Sequence, residues 1–152
     1  MANTYSHLYA MVVFAVMGRS HCLKAEFREE LFKYITGIVK NKGQKLMAIG
    51  GVEDHIHILV GYQPDIALSD LVRDVKSSST RFINDKNLVR GKFMWQRGFG
   101  AFSYSHSHID TVVRYVLNQE EHHKVGSFKD EYLALLDKYE IKYDDKYLFE
   151  FD

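Results

Sequence analysis

Near the start of the chain lies a run of ten residues without a charged side chain, Leu8 to Met17. Side chains alternate between the two faces of a β-strand, and in this run both alternating sets are apolar. Such a strand is covered on both faces, so it is predicted to be central in its sheet with packed layers above and below. The run is too short to span a bilayer and lacks the flanks of a signal peptide.

Length and composition favour one domain covering residues 1–152. A chain of 152 residues with 46% hydrophobic side chains buries a sufficient core without further cross-links. The single cysteine, Cys22, excludes a disulfide framework and a multi-cysteine zinc site, and it suits a reducing compartment. We therefore expect a soluble, cytoplasmic protein with no membrane partner.

The first half of the chain shows one helix and a hairpin after the first strand. Apolar residues at helical spacing predict a helix over residues 24–42, which Gly43 ends. Two strand-like runs, 44–52 and 54–62, predict a β-hairpin in which Gly50-Gly51 is a candidate bulge. A second helical pattern follows Pro64 and begins near Asp65 or Ser69.

The second half predicts two short strands and two more helices. The strands cover residues 93–95 and 101–105, on either side of a glycine turn. A third helix begins near Ile109, with Ser107 and Asp110 as its capping box, and a fourth uses Ser127 and Asp130 in the same way. An aromatic and acidic tail ends the chain, and its pattern indicates no function.

The order strand, helix, strand, strand, helix, strand is typical of the split βαβ arrangement. We therefore predict an α+β, ferredoxin-like fold, with two helices on one face of an antiparallel sheet and additional C-terminal helices. The other face must be covered by the later helices, by a partner subunit or by a ligand. That face is where we expect the functional site.

A histidine pair, His55-Ile-His57, lies inside the third predicted strand. Because side chains alternate, both imidazoles project from one face, about 6.6–6.8 Å apart along the strand. Two imidazoles placed in this way can bind one metal ion, although half-buried histidines without a ligand give the same pattern. The apolar face opposite, with Ile56 and Ile58, favours the metal site, since a core has little use for two histidines.

The third predicted helix carries Tyr115, Gln119 and His122 on a single stripe. In a metal-assisted phosphoryl transfer, the amide oxygen of Gln119 can bind the ion and the phenol of Tyr115 can attack phosphorus. The alternative is a packing role, since the chain has ten tyrosines.

Four segments together resemble the HUH-type, single-tyrosine transposases of small bacterial insertion sequences. They are Asp54-His-Ile-His-Ile-Leu59, Trp95-Gln-Arg-Gly98, Ala101-Phe-Ser103 and Tyr115-Val-Leu-Asn-Gln119, and the similarity spans residues 8–123. The resemblance implies that His55, His57 and Gln119 hold a divalent ion, Mg²⁺ or Mn²⁺, and that Tyr115 is the nucleophile. It also implies cleavage and rejoining of single-stranded DNA with hairpin ends through a 5′-phosphotyrosine. A homodimer is implied as well, in which the tyrosine helix of one subunit can serve the histidine pair of the other.

Charge is segregated along the chain, although twenty basic and twenty acidic residues balance overall. Residues 73–97 hold seven basic and two acidic side chains, whereas residues 130–152 hold eight acidic and three basic ones. The basic stretch predicts phosphate contacts, although a solvated surface gives the same pattern. The candidate DNA-binding residues are Arg73, Lys76, Arg81 and Arg97, with His122 on the tyrosine stripe.

Two other functions fit parts of the pattern. A different metal-dependent hydrolase or an oxygenase can use His55 and His57 with zinc or iron. A nucleic-acid-binding module can keep the fold without strand transfer, although neither the tyrosine nor a histidine is missing here. The second histidine pair, His106-Ser-His108, is interpreted as helix capping or exposed loop, and Cys22 beside His21 is not interpreted as a nucleophile.

Overall fold

The structure, a computed structural model, describes residues 3–18 and 23–151. His21 and Cys22, which were considered from the sequence as a base and nucleophile and not adopted, lie outside the described residues. Within residues 3–18 and 23–151 no helix has the length and hydropathy needed to cross a membrane. The strands and α-helices in chain order are β1 (Leu8–Ala15), α1 (Ala25–Asn41), β2 (Lys45–Gly51), β3 (His55–Tyr62), α2 (Leu68–Asp85), β4 (Gly100–Ser103), α3 (Ile109–Leu117), α4 (Gln119–His122) and α5 (Phe128–Lys138).

The four strands form one antiparallel sheet in the order β2-β3-β1-β4. This is the strand order of the split βαβ arrangement, so the predicted α+β, ferredoxin-like fold is confirmed. β1 is central, as its apolar pattern predicted, and its last six residues are buried. The hairpin of β2 and β3 is also present, although the bulge predicted at Gly50-Gly51 is wrong, because the register shifts between Leu46 and Ala48.

The two faces of the sheet are covered by different helices of the same chain. Ile58 and Val60 of β3 pack against α1 and α2 through side chains such as Val39 and Leu71. The opposite face, which carries His55 and His57, is covered by α3, α4 and α5. Of the three covers that the sequence left open for this face, the later helices are therefore the one observed.

Two glycines bring these helices close to the histidine face. Gly50 pairs with His57 in the sheet, and a Cβ at Gly50 would overlap the carbonyl oxygen of Val116 in α3. A Cβ at Gly100 would lie 2.7 Å from the hydroxyl oxygen of Tyr132 in α5. The backbone of α3 and the ring of Tyr132 therefore occupy the space that the Cβ of any residue other than glycine would need at these two positions.

Replacing Gly50 by alanine is expected to lower the free energy of unfolding by about 3 kcal/mol, because α3 must move away from β2. Urea unfolding measures the loss. Gly37→Ala is the matched control: Gly37 lies in α1, and an added methyl group there would meet nothing within 4 Å, so the variant is expected to gain up to about 1 kcal/mol. Equal stabilities of the two variants would contradict the close packing of α3.

Two elements differ from the sequence prediction because tertiary contacts replace local pairing. The predicted strand at 93–95 is absent, and only Trp95 pairs, in an isolated bridge with Val16. A side chain holds this segment instead. The Asn84 amide donates a hydrogen bond to the backbone carbonyl of Phe93 and accepts one from its backbone N–H. β4 also ends at Ser103, two residues earlier than predicted.

The third predicted helix is divided in the structure. Asn118, with φ −98° and ψ 27°, separates α3 from α4, in keeping with the weak helix preference of asparagine. The predicted capping box at Ser107 is wrong, because that hydroxyl pairs with Ser105 and no side chain caps α3. The cap of α5 is confirmed, since the Ser127 side chain accepts a hydrogen bond from the backbone N–H of Asp130.

Candidate active site

The histidine pair lies at the centre of the face covered by α3, α4 and α5. His55 and His57 are both fully buried, and neighbouring positions on one strand face place their rings 5.1 Å apart. The Nδ1 atom of His55 lies 2.7 Å from a carboxylate oxygen of Asp54. Because Asp54 engages Nδ1, the Nε2 atom of His55 is the one turned towards the other site residues.

Tyr115 and Gln119 reach the same place from α3 and α4. The Oε1 atom of Gln119 lies 3.3 Å from His55 Nε2, and the Gln119 side chain donates to the backbone carbonyl of Tyr115. The Tyr115 ring stands edge-on to the His57 ring at 5.6 Å. The four residues implied by the resemblance are therefore brought together within a single chain.

Glu131 of α5 joins this cluster, although it was not predicted from the sequence. Its Oε1 atom lies 3.0 Å from His57 Nε2 and 3.4 Å from His55 Nε2. Its Oε2 atom accepts the hydroxyl hydrogen of Tyr115 at 2.5 Å. One signal was present: Glu131 falls between Phe128 and Leu135 on the apolar stripe of α5, where an acid is unexpected.

The spacing of these atoms fits one divalent ion. Adjacent ligands of an octahedral ion with bonds of 2.0–2.1 Å are separated by about 2.9 Å. The ligand atoms of His55, His57 and Glu131 all lie within 4.8 Å of one another, and Gln119 contributes its amide oxygen 3.3 Å from His55. Two imidazoles with carboxylate and amide oxygens form a donor set suited to Mn²⁺ or Mg²⁺.

The pKa values of the imidazoles reflect their different surroundings. Burial lowers the pKa of His57 to about 4, so this ring is neutral at pH 7, which is the form that binds metals. For His55, burial also opposes protonation, but the carboxylates of Asp54 and Glu131 outweigh it and raise the pKa. The two pKa values shift in opposite directions because His55 has a carboxylate beside each ring nitrogen, whereas His57 has only Glu131.

Glu131 and Tyr115 are shifted in opposite directions. Burial favours the neutral form of Glu131, but hydrogen bonds with His55 and His57 outweigh it and hold the pKa far below the usual range. Burial, together with the hydrogen bond to Glu131, raises the pKa of Tyr115 well above its usual value. The phenol thus keeps its proton and donates a hydrogen bond to an ionised carboxylate.

Aromatic side chains enclose the cluster. The Phe128 ring of α5 stacks on His55 at 3.8 Å, with the two planes 7° apart. His123 lies 4.6 Å from His55, and His122 lies 4.8 Å from Tyr115, measured between ring centroids. His122, a predicted DNA contact, is therefore half-buried beside the tyrosine. A cavity of about 690 Å³ opens next to the cluster, with Asp54, His123 and Phe128 in its wall.

The predicted DNA-binding residues of α2 border a second depression. Arg73, Lys76 and Arg81 line a groove of about 760 Å³ whose wall includes Met94 and Phe99. The ammonium of Lys76 donates to the carbonyls of Gln96 and Gly98 at 2.7 and 2.9 Å, so it fastens the 94–99 segment to α2.

The arginines of this region differ in their partners. Arg73 is paired with Asp70 and Asp74 on its own helix. Arg81 and Arg97 are exposed and have no carboxylate partner among residues 3–18 and 23–151. The cations free to meet a phosphate in the described part of the chain therefore include Arg81 and Arg97.

The second histidine pair stays apart from the cluster. His106 and His108 are exposed in a short 3₁₀ turn, where they bond Tyr9 and Ser105. Among the residues with described positions, the group that can hold a metal through three histidine or acidic side chains is His55, His57 and Glu131. The interpretation of His106-Ser-His108 as local loop structure agrees with this placement.

Comparisons with known proteins point to one family. The family model described as "Transposase IS200 like" matches residues 4–119. A candidate transposase from Deinococcus radiodurans R1 shares the fold with a TM-score of 0.62 and 22% identity, over 78% of this chain and 95% of that one. A REP-associated tyrosine transposase bound to a REP hairpin has a TM-score of 0.54 and 16% identity, over 76% of this chain and 70% of that one. No curated protein sequence matches.

Proposed function

The chain belongs to the family of IS200-like transposases, and on this premise we propose that it cleaves and rejoins single-stranded DNA through a 5′-phosphotyrosine on Tyr115. One observation carries the proposal: a single carboxylate separates the Tyr115 hydroxyl from the buried pair His55 and His57. A tyrosine with a packing role alone would not meet the metal-ligand cluster of its own chain.

We also propose that a divalent ion, Mg²⁺ or Mn²⁺, is held by His55, His57 and Gln119, with Glu131 as a further ligand. The spacing of their ligand atoms supports this set. When bound, the ion supplies positive charge that polarises the phosphate oxygens and favours the phenolate. Asp54 fixes the tautomer of His55, as carboxylates do for many metal-binding histidines.

Tyr115 carries out both the cleavage and the rejoining of the DNA strand. The phenolic oxygen of Tyr115 attacks a backbone phosphorus, the bond from phosphorus to the 3′ oxygen breaks, and the 5′ end stays on the tyrosine. The tyrosine loses its proton and the departing 3′ oxygen gains one. Attack by a different 3′-hydroxyl reverses these steps and joins new ends, so no high-energy nucleotide is consumed.

Covalent capture tests the proposal. The wild-type protein is incubated with Mn²⁺ and 3′-end-labelled single-stranded oligonucleotides from the flanks of its own gene, and the products are separated on denaturing gels. We expect a labelled band at protein mass, with the nucleotide mapped by mass spectrometry to the peptide that contains Tyr115. Cleavage without an adduct would indicate a metal-dependent hydrolase instead, and binding without cleavage would indicate a nucleic-acid-binding module.

We propose that the α2 groove and the neighbouring loop contact the DNA backbone through Arg81 and Arg97, with Arg73 beside them and His122 near the nucleophile. Arg81→Ala is expected to weaken binding of single-stranded DNA by about fivefold at low salt and to reduce the salt slope by about 0.7. Fluorescence anisotropy at several salt concentrations measures both changes. Lys33→Ala, which removes a positive charge at an exposed position of α1, is the control. Identical behaviour of the two variants would place the DNA elsewhere.

The DNA form and the assembly are proposals as well. A REP hairpin is bound by one of the similar structures, which supports hairpin-ended DNA as the substrate of this chain. We propose a homodimer on the basis of the family resemblance, and light scattering of the purified protein measures its mass. A monomeric mass, with DNA bound or free, would contradict the dimer.

A further inference from the structure

We propose that Glu131 is the positioning residue of the nucleophile: its carboxylate holds the Tyr115 oxygen beside the metal-ligand cluster. The inference rests on the proposed function of Tyr115. Glu131 lies in α5, beyond the residues 4–119 that the family model matches. The C-terminal part of the chain therefore completes the active site.

The Glu131 carboxylate bridges the nucleophile and the histidine pair. One oxygen of Glu131 accepts the Tyr115 hydroxyl at 2.5 Å, and the other lies 3.0 Å from His57 Nε2. A carboxylate is planar and rigid, so the two contacts set the distance between the phenol and the ligand pair. Misplacing a reacting group by about 1 Å can cost 10²-fold in rate.

Helix α5 is anchored close to Glu131 on both sides. Phe128, three residues earlier, stacks on His55. Tyr132, the next residue, is buried and contacts Gly100 of β4. Burial of both neighbours on the sheet leaves the Glu131 side chain little freedom to move, and only 14% of it is exposed.

The aromatic tail packs against α5 and supports it. Phe149 is buried against Phe128 and Tyr132. The backbone N–H and carbonyl of Glu150 are both bonded to the Gln96 side chain, which also donates to Val16. The tail therefore clamps α5 from outside and ties it to the end of β1, which supports the position of Glu131.

Kinetics at saturating Mn²⁺ separate positioning from metal binding. Saturation is established for each variant by calorimetric titration with Mn²⁺. Glu131→Ala is expected to lower kcat for adduct formation by about 100-fold while KM for the oligonucleotide changes by less than about threefold. Glu131→Gln keeps an oxygen that accepts the Tyr115 hydroxyl, so its kcat is expected to recover to within about tenfold of wild type. Asp137→Asn, the same kind of change at an exposed position of α5, is expected to match wild type.

Two results would overturn the inference. Wild-type kcat in Glu131→Ala would show that the nucleophile does not need the carboxylate. Equal kcat values for Glu131→Ala and Glu131→Gln would show that Glu131 acts only through its charge or as a metal ligand.

A second measurement needs neither DNA nor activity. With 3-fluorotyrosine placed at position 115, the ¹⁹F resonance is expected to move towards its unfolded position in Glu131→Ala and to stay unchanged in Asp137→Asn. An unchanged resonance in Glu131→Ala would refute the contact. If wild type forms no adduct but the resonance moves, the proposed function fails and the contact stands. If wild type forms adducts and Glu131→Ala changes neither kcat nor the resonance, only the positioning role of Glu131 fails.

Discussion

Tyr115→Phe protein is expected to form no covalent adduct with DNA, a loss of at least about 10⁴-fold, because phenylalanine has no oxygen to attack phosphorus. The ring remains, so its edge-on contact with His57 is kept. Within the described part of the chain, the hydrogen bond lost from the side chain is the one to Glu131. Denaturing gels with labelled oligonucleotides measure the loss, and calorimetry with Mn²⁺ is expected to show metal binding close to wild type.

Tyr62→Phe is the matched control for this prediction. Tyr62 is half-buried at the end of β3, on the opposite face from the histidine pair. This variant also loses one phenolic oxygen, but at a position away from the site. Adduct formation is therefore expected to stay at the wild-type level. A labelled band at protein mass that survives in Tyr115→Phe would assign the nucleophile to another residue.

His57→Ala is expected to lower Mn²⁺ affinity by more than about 100-fold, since replacing even an outer partner of a ligand costs 10–100-fold. His57 is fully buried and its Nε2 atom faces Glu131. The substitution also leaves the Glu131 carboxylate without its closest imidazole partner. Cleavage is therefore expected to fall with metal binding, as measured by calorimetry and by the oligonucleotide assay at one Mn²⁺ concentration.

His108→Ala is the control, because it removes an exposed imidazole whose hydrogen bond is to the neighbouring Ser105. It is expected to change neither Mn²⁺ affinity nor cleavage. Binding of hairpin DNA is expected to persist in His57→Ala, since the proposed phosphate contacts lie on α2 and the loop that follows it. Full Mn²⁺ affinity in His57→Ala would remove the histidine pair from the metal site.

The core of the candidate site was predictable because its signals are local. Alternation along a strand places His55 and His57 on one face whatever the rest of the chain does. Helical spacing likewise relates Tyr115 to Gln119, and the break at Asn118 moves Gln119 without removing it from the site. The resemblance in these segments then supplied the pairing of the strand with the helix.

Glu131 was not predictable in the same way. It is 74 residues from His57 in sequence, and its neighbours in α5 show only an acid on an apolar stripe. Counting charges likewise could not show which basic side chains of residues 73–97 are paired within the protein and which are free to bind phosphate. Lys76 fastens a loop and Arg73 is paired on its helix, whereas Arg81 and Arg97 are exposed.

The amino-acid sequence alone determined the order and type of the main elements, the central position of β1 and the shared face of the histidine pair. Each of these follows from a repeat of two or 3.6 residues within one element. The tertiary structure alone decided which helices cover that face and which carboxylate meets Tyr115. Those outcomes depend on close packing at Gly50 and Gly100, between residues far apart in the chain, and no local pattern records such contacts.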